Sequence, residues 1–401
     1  MKILICNVGS TSLKYRLLDM GDGERSLAWG KAERVGSEES TFAHDDLQGG
    51  RVRLTASFPT HREAIQEMLR CLEGVTPQEE IACVGFKVVH AKGVTGVQLL
   101  EEPVLQAMEA YNSVAPAHNP PYLAAIRLFA QLMPHTPLIG SFETGFHATM
   151  PPEAYLYSLP AELCREEGIR RYGFHGASHE YVSQWVAAAM GRSDLRLVSC
   201  HLGGSGSLCA VKDGRSIDTS LGFSLQCGVM HNNRIGDIDP FITFYLMEAK
   251  GMSPQEIKEL YSKKSGFYGM SGGISNDLRD IEAAAAQGNQ DAQNAVNSYA
   301  YQIKKYIGSY AAAMGGLDAI AFAGGIGENS AQVRQKALTG LEFLGVRLDP
   351  EKNAAPQPGD DLSQEGAPVR IYVVATNEEL IVARKAAAWL EAHPDVRAGD
   401  R

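Results

Sequence analysis

The chain has 401 residues, 44% hydrophobic and 21% charged, with a formal net charge of −10. That length holds two or three domains, and an acidic balance without any Lys/Arg block argues against a nucleic-acid partner. No apolar run reaches the ~18 residues of a membrane span, no signal peptide is expected, and seven scattered cysteines with no C-x-x-C pair suit a reducing cytoplasm.

The first sixty residues read as β-rich. Ile3-Leu4-Ile5-Cys6 is a short apolar strand, and "NVGSTSLK" (7–14) turns it back into the alternating stretch Leu13 to Leu18. Gly9 permits a tight turn beside three hydroxyls, Ser10, Thr11 and Ser12, but the Walker pattern is absent. Alone, this is as much an ordinary hairpin bend as a phosphate-binding turn. Helical spacing follows over Thr60 to Leu72, a strand over Ile81 to Val89, and a helix near Val104 to Asn112. "APAHNPP" (115–121) predicts a rigid extended loop, because consecutive prolines disfavour helix. A helix over Tyr122 to Leu132 and a strand at Leu138-Ile139-Gly140 follow, with Pro151 and Pro152 as a boundary signal. "SFETGFHATMP" (141–151) puts Glu143 at a strand end, where ligands collect in open αβ sheets.

The second half echoes the first. "RLVSCHLGGSGSLCAVKDG" (196–214) is a strand, a Gly/Ser turn and a strand, like the opening hairpin. In "RRYGFHGASHEYV" (170–182), His175 and His179 lie four apart, on one face if helical. Gly176 stands where a zinc protease helix carries glutamate. One structural histidine and one facing a substrate is therefore the better reading than a metal pair. "NNRIGDIDP" (232–240) reads either as a salt-bridged loop or as Arg234 held by Asp237 and Asp239 and aimed at a phosphoryl group. "SPQEIKELYSK" opens a helix with a Ser253/Glu256 capping box, and a long helix over Asp291 to Met314 ends at Gly315-Gly316. "DAIAFAGGIGENS" (318–330) is a small-residue strand running into a glycine loop and a helix start. Residues 350–368 read as a surface connection, and the strand Val369 to Ala375 leads into a helix capped by Thr376 or Asn377. Three glycine-rich turns leaving short strands, at 7–12, 203–207 and 324–327, together favour anion binding over plain connection.

In order, "NVGSTSLK", "VVH", "HNPP", "RRYGFHGASH", "CHLGGSGS", "GDIDP", "SGGISNDLRD", "GGIGENS" and "TNEEL" closely resemble the acetate kinase family, from residue 3 to about residue 390. The resemblance implies an α/β fold of two duplicated actin-like (ribonuclease H-like) domains with a central nucleotide cleft. The domains are expected at 1–149 plus about 379–401, and at 150–378. It implies a cytoplasmic homodimer that moves a phosphoryl group reversibly between ATP and a short-chain carboxylate, giving ADP and an acyl phosphate, with Mg²⁺ or Mn²⁺. Carried over by residue, Asn7 and Glu378 serve the metal, while His118, His175 and Arg234 stabilise the phosphoryl group in flight. Glu143 takes the position usually labelled catalytic. Lys87, Val89, Ala117, Phe174 and Leu225 belong to the acid. Lys14, His201, Leu202, Gly203, Gly204, Ser205, Asp277, Leu278, Arg279, Gly325, Ile326, Gly327, Glu328 and Asn329 belong to the nucleotide. A carboxylate with a pKa near ~4–5 is already ionised at neutral pH, so Glu143 reads as a metal or water orienter rather than a base.

Departures from the family pattern sit at the site. Lys87 replaces an arginine, exchanging a planar two-bond fork for one mobile charge. Glu143 replaces an aspartate, Gly204 an asparagine, and Ala117 a leucine. "FSLQCGVMHNNR" (223–234) is rewritten, and it is expected to bring Leu225, His231, Asn232 and Asn233 near the acyl pocket. These changes fit a reshaped acid site, with propionate or a larger or more polar acid in place of acetate. Two competing readings are a catalytically weakened nucleotide sensor of this fold and an ATPase that needs no acid.

Overall fold

Alternating apolar residues make the opening segment a meander. The computed structural model describes residues 1–21 and 23–397. In it β1 (Lys2–Gly9), β2 (Ser12–Asp19), β3 (Arg25–Glu33), β4 (Ser40–Asp46) and β5 (Arg51–Ala56) run antiparallel, each paired with the next. Then β6 (Ile81–Val88) adds parallel to β1, β8 (Leu138–Phe142) adds parallel to β6, and β7 (Val97–Leu99) closes the edge. The order is β5-β4-β3-β2-β1-β6-β8-β7. Its centre is covered on both faces, so β1 is a continuous apolar run, with Ile3, Leu4, Ile5 and Cys6 all buried. The helix Glu378–Ala392 supplies part of that cover through Val382, Ala383, Ala386 and Leu390, packed with Ile3, Ile5, Cys83 and Ile139. Gly85 makes the approach possible: a β-carbon there would lie 2.7 Å from Ile5 Cδ1 and 3.4 Å from Val382 Cγ1.

The second sheet repeats the plan. β9 (Arg196–Leu202), β10 (Gly206–Lys212) and β11 (Arg215–Thr219) are antiparallel, and β12 (Ala319–Ala323) and β13 (Arg370–Val373) continue parallel to β9. The order β11-β10-β9-β12-β13 matches β3-β2-β1-β6-β8 strand for strand. This is the duplicated actin-like αβ arrangement. The helix Gln290–Met314 lays Val296, Tyr299, Ile303 and Ile307 on the sheet and stops at Gly315, whose φ of +73° costs little only for glycine. The Ser253/Glu256 capping box forms, with Ser253 N–H donating to Glu256 Oε2 at 2.8 Å.

The chain divides into Met1–Gly145 with Asn377–Arg401, and Phe146–Thr376. The breaks come slightly before the expected 149/150 and 378/379. Residues 146–149 are tied to the second unit: His147 bonds Ser216 Oγ at 2.8 Å and Thr149 donates to the Ser216 carbonyl at 2.7 Å. Asn377 belongs with the helix it caps, accepting the Leu380 N–H at 3.2 Å.

Two local expectations are corrected. Pro120 and Pro121 do not hold an extended loop; they occupy the first turn of the helix Asn119–Leu132, where missing N–H groups cost nothing. Residues 350–368 are more than a surface connection. They begin with a short helix, Pro350–Ala354, and Leu362 is buried, donating its N–H to the Ile371 carbonyl at 2.7 Å. Among the described residues no helix is long and apolar enough to cross a membrane.

Candidate active site

In the first unit, charge gathers where the parallel strands end. β1 ends with Asn7 and Gly9, β6 carries Lys87 opposite Ser141 of β8, and Glu143 follows β8 directly. Glu378 opens the helix Glu378–Ala392, whose positive N-terminal end suits a carboxylate. The Lys87 ammonium is bonded to Glu378. Burial opposes the charge on Lys87, but the carboxylates Glu143 and Glu378, with the Tyr122 hydroxyl, outweigh it and hold the ammonium above the ordinary lysine range. Glu143 is only 4% exposed. Tyr122, whose hydroxyl burial pushes up, donates to Asn7 Oδ1 at 2.5 Å. Lys87 is thus engaged by a carboxylate of the protein itself. The donor set also fits a hard divalent cation. Asn7 keeps a second lone pair and Glu378 is a carboxylate, the pair that Mg²⁺ needs when phosphates and water fill its remaining positions. Among the described residues no group of three His, Cys, Asp or Glu forms a protein-only metal cage.

In the second unit the corresponding region is built on a chain of hydrogen bonds. His175 precedes the helix Gly176–Met190 with φ 58° and ψ 29°, a left-handed conformation that is strained for a non-glycine residue. Its Nδ1 meets Ser207 Oγ at 2.8 Å, and Ser207 Oγ meets His179 Nε2 at 2.8 Å. His179 Nδ1 meets Ser199 Oγ at 2.8 Å. Burial drives His179 well below the usual histidine range, so it is neutral. Ser207 has one proton to give, so the states of the two rings are linked. If Ser207 donates to His175, His179 must donate from Nε2 and accept from Ser199 at Nδ1. His175 then carries its own proton on Nε2.

Arg234 is a positive group in this unit's loops. Asp237 and Asp239 do not hold it, contrary to expectation: Asp237 accepts the Gly228 N–H and the Tyr306 hydroxyl, and Asp239 accepts the Phe241 N–H. The guanidinium instead donates to the Leu225 carbonyl at 2.9 Å. Among the described residues no carboxylate lies within ion-pair reach of it, and burial pulls its pKa down to about 10. A desolvated guanidinium committed to one carbonyl keeps donors for an incoming anion.

A cavity of about 640 Å³ opens in the same unit. Gly203, Gly204, Asp277, Leu278, Arg279, Gly325, Ile326 and Asn329 line it, and all of them are residues that the family resemblance assigns to the nucleotide. Asp277 caps the helix Leu278–Ala286 and pairs with Arg279, whose hydrogen bonds hold its carboxyl down at about 2. The remaining expected nucleotide residues are not in the lining. Leu202 is wholly buried in the core, Gly327 packs on Phe322, and His201 bonds Ser178 Oγ at 2.7 Å. Ser205 lies against His231, while the Glu328 carbonyl accepts from the buried Arg334. Lys14 lies in the first unit, opposite Asn7 in the β1–β2 ladder. Of the residues expected at the acid, Val89, Phe174 and Leu225 are buried and Ala117 is exposed; His118, expected at the phosphoryl group, precedes the helix Asn119–Leu132.

The cavity also holds Asn232, expected at the acid pocket, and residues assigned no role from the sequence: Phe267, Asn276, Glu282 and Ser330. Asn276 and Ser330 lie within motifs already singled out. Phe267 carries no signal in the sequence. His231, Asn232 and Asn233, expected near the acid pocket, lie at the β9–β10 loop. His231 is fully buried under the β9–β10 loop, Asn232 lines the cavity, and Asn233 accepts from Asn276 Nδ2 at 3.4 Å. The reason is local: His231 accepts the Gly206 N–H and Asn232 donates to the Gly204 carbonyl, which straps the segment to that loop.

Residues 2–384 match the model of the acetokinase family. The acetate kinase of Methanosarcina thermophila is 42% identical over 405 residues, covering 99% of each chain. The solved acetate kinase of Porphyromonas gingivalis is 38% identical with a TM-score of 0.87, covering 97% of this chain and 99% of that one. A solved propionate kinase of Francisella tularensis is 32% identical with a TM-score of 0.88, covering 96% and 98%. With a family match over nearly its whole length, and the duplicated sheets and cavity described above, the chain belongs to the acetokinase family.

Proposed function

We propose that this chain, a carboxylate kinase by family, moves the terminal phosphoryl group of ATP reversibly onto acetate or propionate, releasing ADP and an acyl phosphate. The match across residues 2–384 carries the reading. In the transfer, a carboxylate oxygen of the acid bonds to the terminal phosphorus as the bond to the ADP oxygen breaks. The acid is ionised at neutral pH, so no residue need take a proton from it. What the protein supplies is position and charge. Arg234 donates to the equatorial phosphoryl oxygens, and His175 donates from Nε2 in the tautomer that Ser207 and His179 hold. His118 assists them. The cavity of Gly203, Asp277, Arg279 and Gly325 takes the nucleotide. Asn7 and Glu378 would hold Mg²⁺, which, when bound, neutralises charge on the phosphates. Lys87, set between Glu143 and Glu378, balances that acidic cluster and orients the acid with one charged hydrogen bond.

The acid remains small in this reading. Asn232 lines the cavity read here as the nucleotide site, so this reading puts acetate and propionate ahead of a more polar acid. Lys87 in place of an arginine fork still favours weak acetate binding, by roughly tenfold for one charged hydrogen bond lost. ADP release with ATP and a panel of acids tests the proposal. Release should depend on the acid, with acetate and propionate the best substrates. Equal release without any acid would overturn it and favour a plain ATPase.

A homodimer in the cytoplasm completes the reading. The helix Phe241–Lys250 has no buried residue, and Phe241, Phe244 and Tyr245 are 75%, 54% and 62% exposed. An apolar face of that kind calls for a partner, and a second copy would cover it.

A further inference from the structure

The carboxamide of Asn232 is fixed in orientation by its own neighbourhood. Its backbone N–H donates to the Gly204 carbonyl at 3.0 Å, which ties residue 232 to the loop between β9 and β10. Its Oδ1 accepts the Asn233 N–H at 3.0 Å. A flip of the amide would set NH₂ against that N–H, so Oδ1 faces Asn233 and Nδ2 faces the loop. Nδ2 lies 3.3 Å from where a β-carbon on Gly204 would stand, and Cγ lies 3.6 Å from it. Both residues line the 640 Å³ cavity, and among the described residues Nδ2 donates to no protein acceptor.

The loop beneath is braced. His231 Nδ1 accepts the Gly206 N–H at 2.9 Å and lies 3.3 Å from Ser205 Oγ. The cavity's carboxylates are occupied elsewhere, Asp277 with Arg279 and Glu282 with the Ser330 hydroxyl. An oriented amide donor over a glycine loop is a phosphate ligand in chemical terms, because phosphate oxygens only accept hydrogen bonds at neutral pH.

We propose that Asn232 binds the phosphate chain of the nucleotide, donating from Nδ2 to a phosphate oxygen across the β9–β10 loop, with Gly204 kept bare so that the carboxamide can lie there. The inference rests on the nucleotide reading of the cavity. It gives residue 232 a specificity role for phosphorylated over unphosphorylated adenosine.

Calorimetric titration of the full chain with ADP and with adenosine separates the two ideas. Asn232→Asp keeps the shape but sets a carboxylate against the phosphates, so ADP should weaken at least tenfold while adenosine stays within twofold. Asn232→Ala, which only removes the donor, should weaken ADP about tenfold. Gly204→Ala should weaken ADP less, since the added carbon displaces the carboxamide by a few tenths of an ångström. Thermal unfolding of each variant identifies any that fails to fold. ADP affinity unchanged in Asn232→Asp and Asn232→Ala, or adenosine weakened as much as ADP, would overturn the inference alone. Wild-type protein that binds neither ligand would overturn the nucleotide reading with it.

Discussion

The two sheets share one strand plan, yet the chemistry beside them differs in kind. In the first unit Lys87, Glu143 and Glu378 form a charged cluster, beside the Asn7–Tyr122 bond. In the second, Ser199, His179, Ser207 and His175 form a chain of hydrogen bonds, and Arg234 stands without a carboxylate among the described residues. A net acidic cluster with oxygen donors suits a cation. Neutral donors and a lone guanidinium suit an anion. The same scaffold occurs twice, and the residues beside the two sheets give each copy a different charge.

The largest effect expected from breaking this contrast comes at Arg234. Arg234→Ala should lower acyl phosphate formation by about 10²–10³-fold, with ADP affinity little changed. Arg234→Lys should not restore the rate, because an ammonium cannot reproduce the guanidinium fork.

The charged side should respond in stability. Lys87→Met would leave Glu143 and Glu378 together without a counter-charge. Denaturant unfolding should show a loss of about 1–3 kcal/mol, less than a fully buried pair would give because both partners keep some water contact. Lys87→Arg should retain most of the stability.

The neutral side sets a pH dependence. Burial holds His179 well below its ordinary value and His231 down at about 3. Unfolding returns both to ~6.5, so below that pH the unfolded chain binds more protons than the folded one. The stability these histidines contribute is complete above ~6.5 and declines as the pH falls from there toward 3. The slope is at most about 1.4 kcal/mol per pH unit for each histidine. His231→Asn should flatten it in melts taken between pH 7.5 and 5.

A smaller change is expected at Ser207. Ser207→Ala separates His175 from His179 and should lower kcat roughly tenfold, with the KM for ATP within twofold. The pH–rate profile should shift as the His175 tautomer is released, and Ser207→Thr should recover part of the loss. An unmoved profile would make Ser207 a packing residue only.

Much of the fold was legible in the sequence because hairpins and caps are local. The Ser253/Glu256 box and the Gly315 stop need only neighbours, and the echo of 2–19 in 196–212 announced the duplication. The misreadings have one physical cause: local signals give a residue's conformation but not what it meets. Pro120 and Pro121 read as helix-excluding until their place at the first turn is known. Asp237 and Asp239 are near Arg234 in sequence, yet their bonds go to other groups. The engagement of Lys87 by Glu378, 291 positions away, has no sequence signal at all. The hydrogen bonds to Gly204 and Gly206 that hold residues 231–233 at the β9–β10 loop likewise have no sequence signal.

The account stands most directly on the product. Incubation with ATP, Mg²⁺, hydroxylamine and either acetate or propionate should yield the acyl hydroxamate of the acid supplied, in proportion to ADP formed, and Arg234→Ala should abolish most of it. ADP formed at the same rate with no acid present, and no hydroxamate trapped, would contradict it.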